Sequence, residues 1–230
     1  MKTSDLRRER DLQRRAYYRD VVLRAAERVI LRKGYSALTM DDVAREAQLS
    51  KATIYKYVAG KGALLIEIVG QAFDNVKAAV TGVVDAPGSA GDKLGRLVQA
   101  ILKSEEDARH FNRVLWMDKA MFRLMRLFAH PPAKAGAAPA ADRKLLATVK
   151  QKRQEIIDLG ARVLDEGIAT GEFRPMDTGQ ASAFIEAVLQ GYMHMRLWQG
   201  DAPLVPDAGA RLTTFIIEGI RNPDQAGKEN

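Results

Sequence analysis

Between residues 39 and 61 the chain concentrates groups that bind anions: the hydroxyls of Thr39, Ser50 and Thr53, the phenols of Tyr55 and Tyr57, and the ammonium groups of Lys51, Lys56 and Lys61. Such donors suit phosphate oxygens and base edges. Their spacing implies two short helices that hold them. Thr39 precedes an apolar run of Met40, Val43, Ala44 and Ala47, and Asp42 follows three residues later. This approaches a capping box, in which a hydroxyl and a carboxylate satisfy orphan amides at a helix start. After a tight turn Ser50 offers a second N-cap, and Ile54 and Val58 form the inner face of the helix that follows. Two helices joined so closely cross steeply, and the small Ala44 and Ala47 permit the contact, which is the pattern of a helix-turn-helix. A solvated helix pair with ordinary surface lysines is the plain alternative.

Charge placement bears on that choice. Residues 1–66 hold 15 Lys and Arg against 8 Asp and Glu, and residues 67–230 hold 21 of each, so the whole net charge of +7 lies on the part with the helix pair. An anionic polymer is the natural partner, through steering and counterion release. A basic solubilising arm, or attraction to an acidic membrane surface, are the other readings of the same charge.

Other chemistries find little support. The 230 residues include no cysteine, which removes disulfides, thiolate metal sites and a cysteine nucleophile. The histidines are His110, His130 and His194, none in a metal-binding HExxH arrangement. Gly88-Ser89-Ala90-Gly91 misses the nucleophile-elbow spacing by one residue, and Gly60-Lys61 lacks the upstream glycine of a phosphate loop. No enzyme activity, metal or cofactor is expected. No 18-residue apolar stretch exists and the amino terminus lacks a signal-peptide core, so neither a membrane span nor export is expected, and a cytoplasmic location fits.

The remaining pattern is helical throughout, with no persuasive strand or repeat. Val21, Val22, Ala25, Ala26, Val29 and Ile30 make one buried stripe from Asp20 to Lys33, closed by Gly34. Upstream, Arg7, Arg8, Arg10, Arg14, Arg15 and Arg19 either extend that helix or form an arm along DNA. A long helix starts near Ala63 and runs toward Thr81. Ala86–Gly91 is a loop. Helical pattern resumes from Asp92 to about Phe128 with a break near His110. Residues 130–141 read as a low-complexity loop, followed by helices over Asp142–Thr170, Thr178–Gln199 and Ala208–Arg221.

With these features in view the chain resembles the TetR/AcrR family of bacterial transcriptional regulators. Gly34-Tyr35, Thr39, Asp42-Val43-Ala44, Ala47, Leu49-Ser50, Thr53-Ile54-Tyr55, Tyr57-Val58, Lys61 and Leu64-Leu65 carry the likeness, and Glu166–Asp177 adds a second, weaker stretch. The resemblance implies an all-α fold: a three-helix DNA-binding domain over residues 1–62, a helical ligand-binding and dimerisation domain over 63–221, and a disordered tail over 222–230. It implies DNA contact by Thr39, Ser50, Lys51, Ala52, Thr53, Tyr55, Lys56, Tyr57 and Lys61, with Lys51, Ala52 and Lys56 nearest the bases. Lys61 also stands at a helix start, where an anion is favoured. Two positions depart from the family pattern. Gln48 occupies the turn where glycine is usual, and a left-handed backbone there implies strain on the order of 1 kcal/mol. Gly60-Lys61-Gly62 also lacks the acidic residues that usually follow the lysine.

By the same resemblance the protein would act as a ligand-responsive repressor, a homodimer on a palindromic double-stranded DNA operator. On the helix Thr178–Gln199, Glu186, Gln190 and His194 form a narrow polar strip and most of the remaining circumference is apolar, so partners are needed on several sides. Phe184, Val188, Gly191, Met195, Phe215 and Ile216 are the expected dimer residues; burial within one monomer is the other reading. Phe111, Trp116, Met121, Phe122, Met125 and Tyr192 suit a small apolar or amphipathic effector, or are plain core. Asn112, Asp118, Arg123, Glu186 and His194 are candidate polar anchors. A helical dimeric interaction module that has lost specific DNA binding is the competing function.

Overall fold

Every regular element among the described residues is an α-helix. The computed structural model describes residues 3–122, 139–199 and 207–223. Met125, Arg123, most of the segment 130–141 and the tail from residue 224 lie outside the described residues. In chain order the helices are α1 (Thr3–Ala37), α2 (Met40–Ala47), α3 (Lys51–Tyr57), α4 (Lys61–Val84), α5 (Ala90–Asp107), α6 (Arg109–Trp116), α7 (Ala140–Ala169), α8 (Thr178–Trp198) and α9 (Ala208–Ile220).

The described residues fall into two compact units, one from Met1–Gln71 and His110–Val149, the other from Ala72–Arg109 and Lys150–Asn230. In the first, the expected stripe on α1 is buried: Val22, Ala25, Ala26, Val29 and Ile30 pack with Val43 and Ala44 of α2, Ile54 of α3, Val58, and Leu64 and Ile68 of α4. The helix turns sharply at Gly34, whose φ of +79° is a conformation other residues adopt only with strain. A smaller core of Leu65, Leu115 and Leu145, flanked by Tyr35, Phe111 and Met121, joins α6 and the start of α7 to the same unit. Charged pairs brace α1 against α2: Glu46 accepts from Arg28 and Arg32, each at 2.6 Å, and Lys33 pairs with Asp42. Arg32 and Arg28 hold the Glu46 carboxyl below its usual range.

The second unit packs Val80, Leu94, Leu97, Val98, Val163, Leu164, Leu189 and Ile216 around Phe173. Phe173 belongs to the Glu166–Asp177 stretch noted in the sequence, and that stretch works as a clasp. The Glu172 carboxylate accepts from the Ala90 and Gly91 amides at the start of α5, at 2.9 and 2.8 Å. Its carbonyl accepts from the Asn222 amide, while the Arg174 amide donates to the Ile220 carbonyl. Gly167 makes room for the ring: a Cβ there would lie 2.1 Å from a Phe173 carbon.

Two breaks in the expected helix after Asp92 are seen, at Ala108 and at Met117-Asp118. The first matches the reading near His110. The second went unforeseen, and it places Asp118 where its side chain accepts from the Ala120 amide at 2.8 Å.

Candidate nucleic-acid interface

The helix-turn-helix is built as its residues dictate. Thr39 and Asp42 form a reciprocal capping box on α2: the Asp42 amide donates to the Thr39 hydroxyl at 3.2 Å, and the Thr39 amide donates to the Asp42 carboxylate at 2.9 Å. Bonds from Lys33 and Thr39 push the Asp42 carboxyl far below the ordinary range. Gln48 does adopt the left-handed conformation, with φ 56° and ψ 37°. The turn therefore keeps its shape without glycine. Ser50 caps α3 by accepting from the Thr53 amide at 3.1 Å, and its hydroxyl also lies 2.8 Å from that of Thr53.

Ile54 and Val58 are fully buried, which fixes the rotation of α3 and turns Lys51, Ala52, Tyr55 and Lys56 to solvent. Tyr55 keeps 47% of its surface exposed. Lys51 is also exposed; its ammonium sits 3.0 Å from Asp41, and that hydrogen bond raises its pKa. An exposed pair of this kind contributes little and is readily exchanged for phosphate. Thr39 and Ser50 are exposed beside this face, and Thr53 is half-buried.

Two members of the expected set are placed differently. Tyr57 is half-buried, its ring stacked on Tyr18 of α1 at 5.3 Å between centroids and 19° between planes. Lys61 turns inward: its ammonium donates to the Ser36 carbonyl at 2.8 Å and lies 4.7 Å from the centre of the Tyr35 ring. Burial, together with Lys33, lowers its pKa, opposed by Asp118.

Asp118, a candidate polar anchor for a ligand, instead serves this unit. It is buried and accepts from the Ser36 amide at 2.6 Å and from the Ser36 hydroxyl. Burial favours its neutral form, but the bonds from Ser36 and Ala120 and the nearby Lys61 outweigh that and hold the carboxyl below its ordinary range. No sequence signal separates such an aspartate from a solvated one. Tyr18 was equally invisible, although the adjacent Tyr17-Tyr18 pair beside arginines was a hint.

The expected ligand residues that the structure describes fall in both units. Phe111 and Met121 pack into the core around Leu65 and Leu115, Trp116 is half-buried, and Phe122 is 48% exposed, all in the first unit. Tyr192 belongs to the second, with its hydroxyl buried and without a hydrogen-bond partner among the described residues. A narrow cavity in the second unit is lined by Leu94, Leu97, Ile101, Ile156, Ile185 and Leu189, with Ser182 and Glu186 at its edge. Glu186 is paired with Arg153 at 2.9 Å rather than standing in a solvated strip.

Of the expected dimer residues, Phe184, Val188, Gly191, Met195 and Phe215 are exposed, Phe184 at 63% and Phe215 at 67%. Ile216 is not: it lies inside the core. The inward side of α8 carries Ser182, Leu189 and Arg196, so the helix shows its apolar side to solvent and buries a guanidinium. Among the described residues no group of acidic, histidine or cysteine side chains could hold a metal ion, and no helix is long and apolar enough to cross a membrane.

Two short, closely joined helices with a cationic and phenolic outer face have the arrangement of a helix-turn-helix. Comparison with known proteins agrees. Residues 22–68 match the family model for bacterial regulatory proteins of the tetR family. Over 204 residues the chain is 24% identical to the HTH-type transcriptional repressor KstR2 of Mycolicibacterium smegmatis, covering 88% of this chain and 90% of that protein. Over 46 residues it is 44% identical to the uncharacterized HTH-type regulator YdeS of Bacillus subtilis, 20% of this chain and 23% of that one. The solved structure of the fatty acid degradation regulator FadR from Bacillus halodurans has the same fold, with a TM-score of 0.68 and 18% identity, covering 89% of this chain and 97% of that one. Residues 22–68 thus carry a helix-turn-helix domain of the tetR-family type, and the chain is similar over most of its length to a transcriptional repressor.

Proposed function

We propose that the protein is a ligand-responsive repressor that binds a roughly palindromic operator as a homodimer in the cytoplasm. The observation that carries the DNA reading is the outer face of α3, where Lys51, Ala52, Tyr55 and Lys56 stand exposed over the buried anchors Ile54 and Val58. In this reading Lys51, Ala52 and Lys56 reach base edges. Thr39, Ser50, Thr53, Tyr55 and Tyr57 serve the backbone, and Lys61 supports the site through Ser36.

The dimer reading is supported by the exposed apolar row of α8 and α9, where Phe184, Met195, Trp198 and Phe215 each keep between 46% and 68% of their surface. Large apolar side chains so exposed mark an interaction surface. A second copy covering this face gives a two-fold pair whose recognition helices meet half-sites about 34 Å apart. A small apolar or amphipathic effector would have to widen the narrow aliphatic cavity of the second unit, which has Ser182 and Glu186 at its edge. Effector binding to one of two conformations shifts the population away from the DNA-competent one.

Genomic fragments captured by the purified protein and then footprinted test this directly. Protection of two inverted half-sites supports the reading, and capture without sequence preference contradicts it. Sedimentation at micromolar concentration tests the pairing: wild type runs as a dimer and Phe184→Arg/Phe215→Arg as a monomer, whereas a monomeric wild type refutes it.

A further inference from the structure

Three turns of α1, from Arg7 to Tyr17, have every residue exposed. Residues 7–19 carry six arginines against Glu9 and Asp11. Arg14 pairs with Asp11 at 3.0 Å and Arg19 with Glu67 at 2.7 Å. Among the described residues no carboxylate pairs with Arg7, Arg8, Arg10 or Arg15.

On the helix surface Arg7, Arg10 and Arg14 make one row, and Arg8 and Arg15 a second. Like charges at such spacing repel and destabilise an isolated helix. An uncovered helix of this composition is relieved by an anionic partner. Tyr18 lies between the two rows, and its ring is stacked on Tyr57, the last residue of α3. The arginine rows therefore flank the line along which α1 meets the recognition helix.

We propose that residues 7–17 of α1 form a second, sequence-independent DNA-binding element that grips the phosphate backbone flanking each operator half-site. This rests on the DNA-binding reading of α3. From Arg7 to Tyr18 the helix rises about 16 Å. A duplex of that length presents about ten phosphate charges, one per ~1.7 Å. Lipid is the poorer partner, because a helix that lies in a membrane surface needs a broad apolar face. Here the large exposed apolar side chains in the segment are only Leu12 and Tyr17.

The test titrates wild type and Arg7→Ala/Arg8→Ala/Arg10→Ala/Arg15→Ala against a generic duplex of about 40 base pairs and against a captured operator of equal length, from about 50 to 200 mM salt. The four side chains are exposed and alanine favours helix, so circular dichroism and melting show the variant folded at least as well as wild type. On both duplexes the variant binds at least about tenfold more weakly, and its log affinity falls less steeply with log salt by roughly 2 to 4 per protomer. Its ratio of operator to generic affinity is unchanged. Equal salt slopes overturn the proposal, as does wild type that fails to bind generic duplex. Loss of binding to phosphatidylglycerol vesicles with DNA binding intact also overturns it and assigns the arm to lipid. Failure of the α3 reading looks different: no captured duplex is preferred over the generic one, whatever the slopes.

Discussion

Replacing Asp118 separates a structural role in the DNA-binding unit from a role in ligand binding. Its carboxylate accepts from the Ser36 amide, the Ser36 hydroxyl and the Ala120 amide, and it lies near the Lys61 ammonium. Hydrogen bonds to a charged acceptor contribute roughly 1.5–3 kcal/mol each, and the donors released by Asp118→Ala recover part of this from water. A net loss of about 3 kcal/mol is expected. For a chain of this length each kcal/mol moves the melting temperature by about 2–4 °C, so the variant melts roughly 6–12 °C lower. Asp118→Asn keeps the shape but sets an amide N–H against a donor, and should lose about half as much. The pH dependence fixes the sign. The folded carboxyl titrates below its unfolded value, so its contribution is complete above about pH 4 and is lost as the pH falls through the folded value. The gap between wild type and Asp118→Asn should thus hold from pH 8 to 5 and close below about 4. Melting curves followed by circular dichroism across that range suffice. An unchanged melting temperature at pH 7, or a gap that widens on acidification, refutes the reasoning.

Three further substitutions test the local physics. Thr39→Ala removes the hydroxyl half of the α2 capping box, leaving the Thr39 amide on Asp42, and should cost about 1 kcal/mol in thermal melting, with Thr39→Ser restoring most of it. At Gln48, whose φ is 56°, the melting order should be Gly above Gln above Val, since a β-branched side chain is strained most in the left-handed region; Val at or above Gln would contradict this. Gly167→Ala drives a Cβ to within 2.1 Å of the buried Phe173 ring, and should lower the denaturation midpoint by an amount equivalent to about 3 kcal/mol.

What the sequence disclosed follows its short-range physics. Helix periodicity, caps and glycine stops are local, so the capping box at Thr39, the Ser50 cap, the end at Gly34 and the left-handed Gln48 were all readable. The exposed face of α3 follows from the same arithmetic once Ile54 and Val58 are inward. Contacts between distant segments were not readable. Asp118 reaches Ser36 across 82 positions, and nothing around it marks it as buried. On α8 the hydrophobic pattern left the inward side undecided: Glu186 and Arg196 meet partners, Arg153 and Glu106, while Phe184 and Trp198 are exposed. A helix with apolar residues on most sides does not declare which side its own subunit covers. Ile216 and Phe215 are neighbours in sequence, yet one is core and the other exposed.

The central claim is that α3 reads DNA with its exposed cations. The most direct measurement is the affinity of Lys51→Ala and Lys56→Ala for a captured operator and for point-substituted versions of it. The account predicts a loss of about 1–3 kcal/mol for a base-reading lysine, with relaxed preference at one symmetric pair of base pairs. Unchanged affinity and unchanged preference in both variants would contradict it.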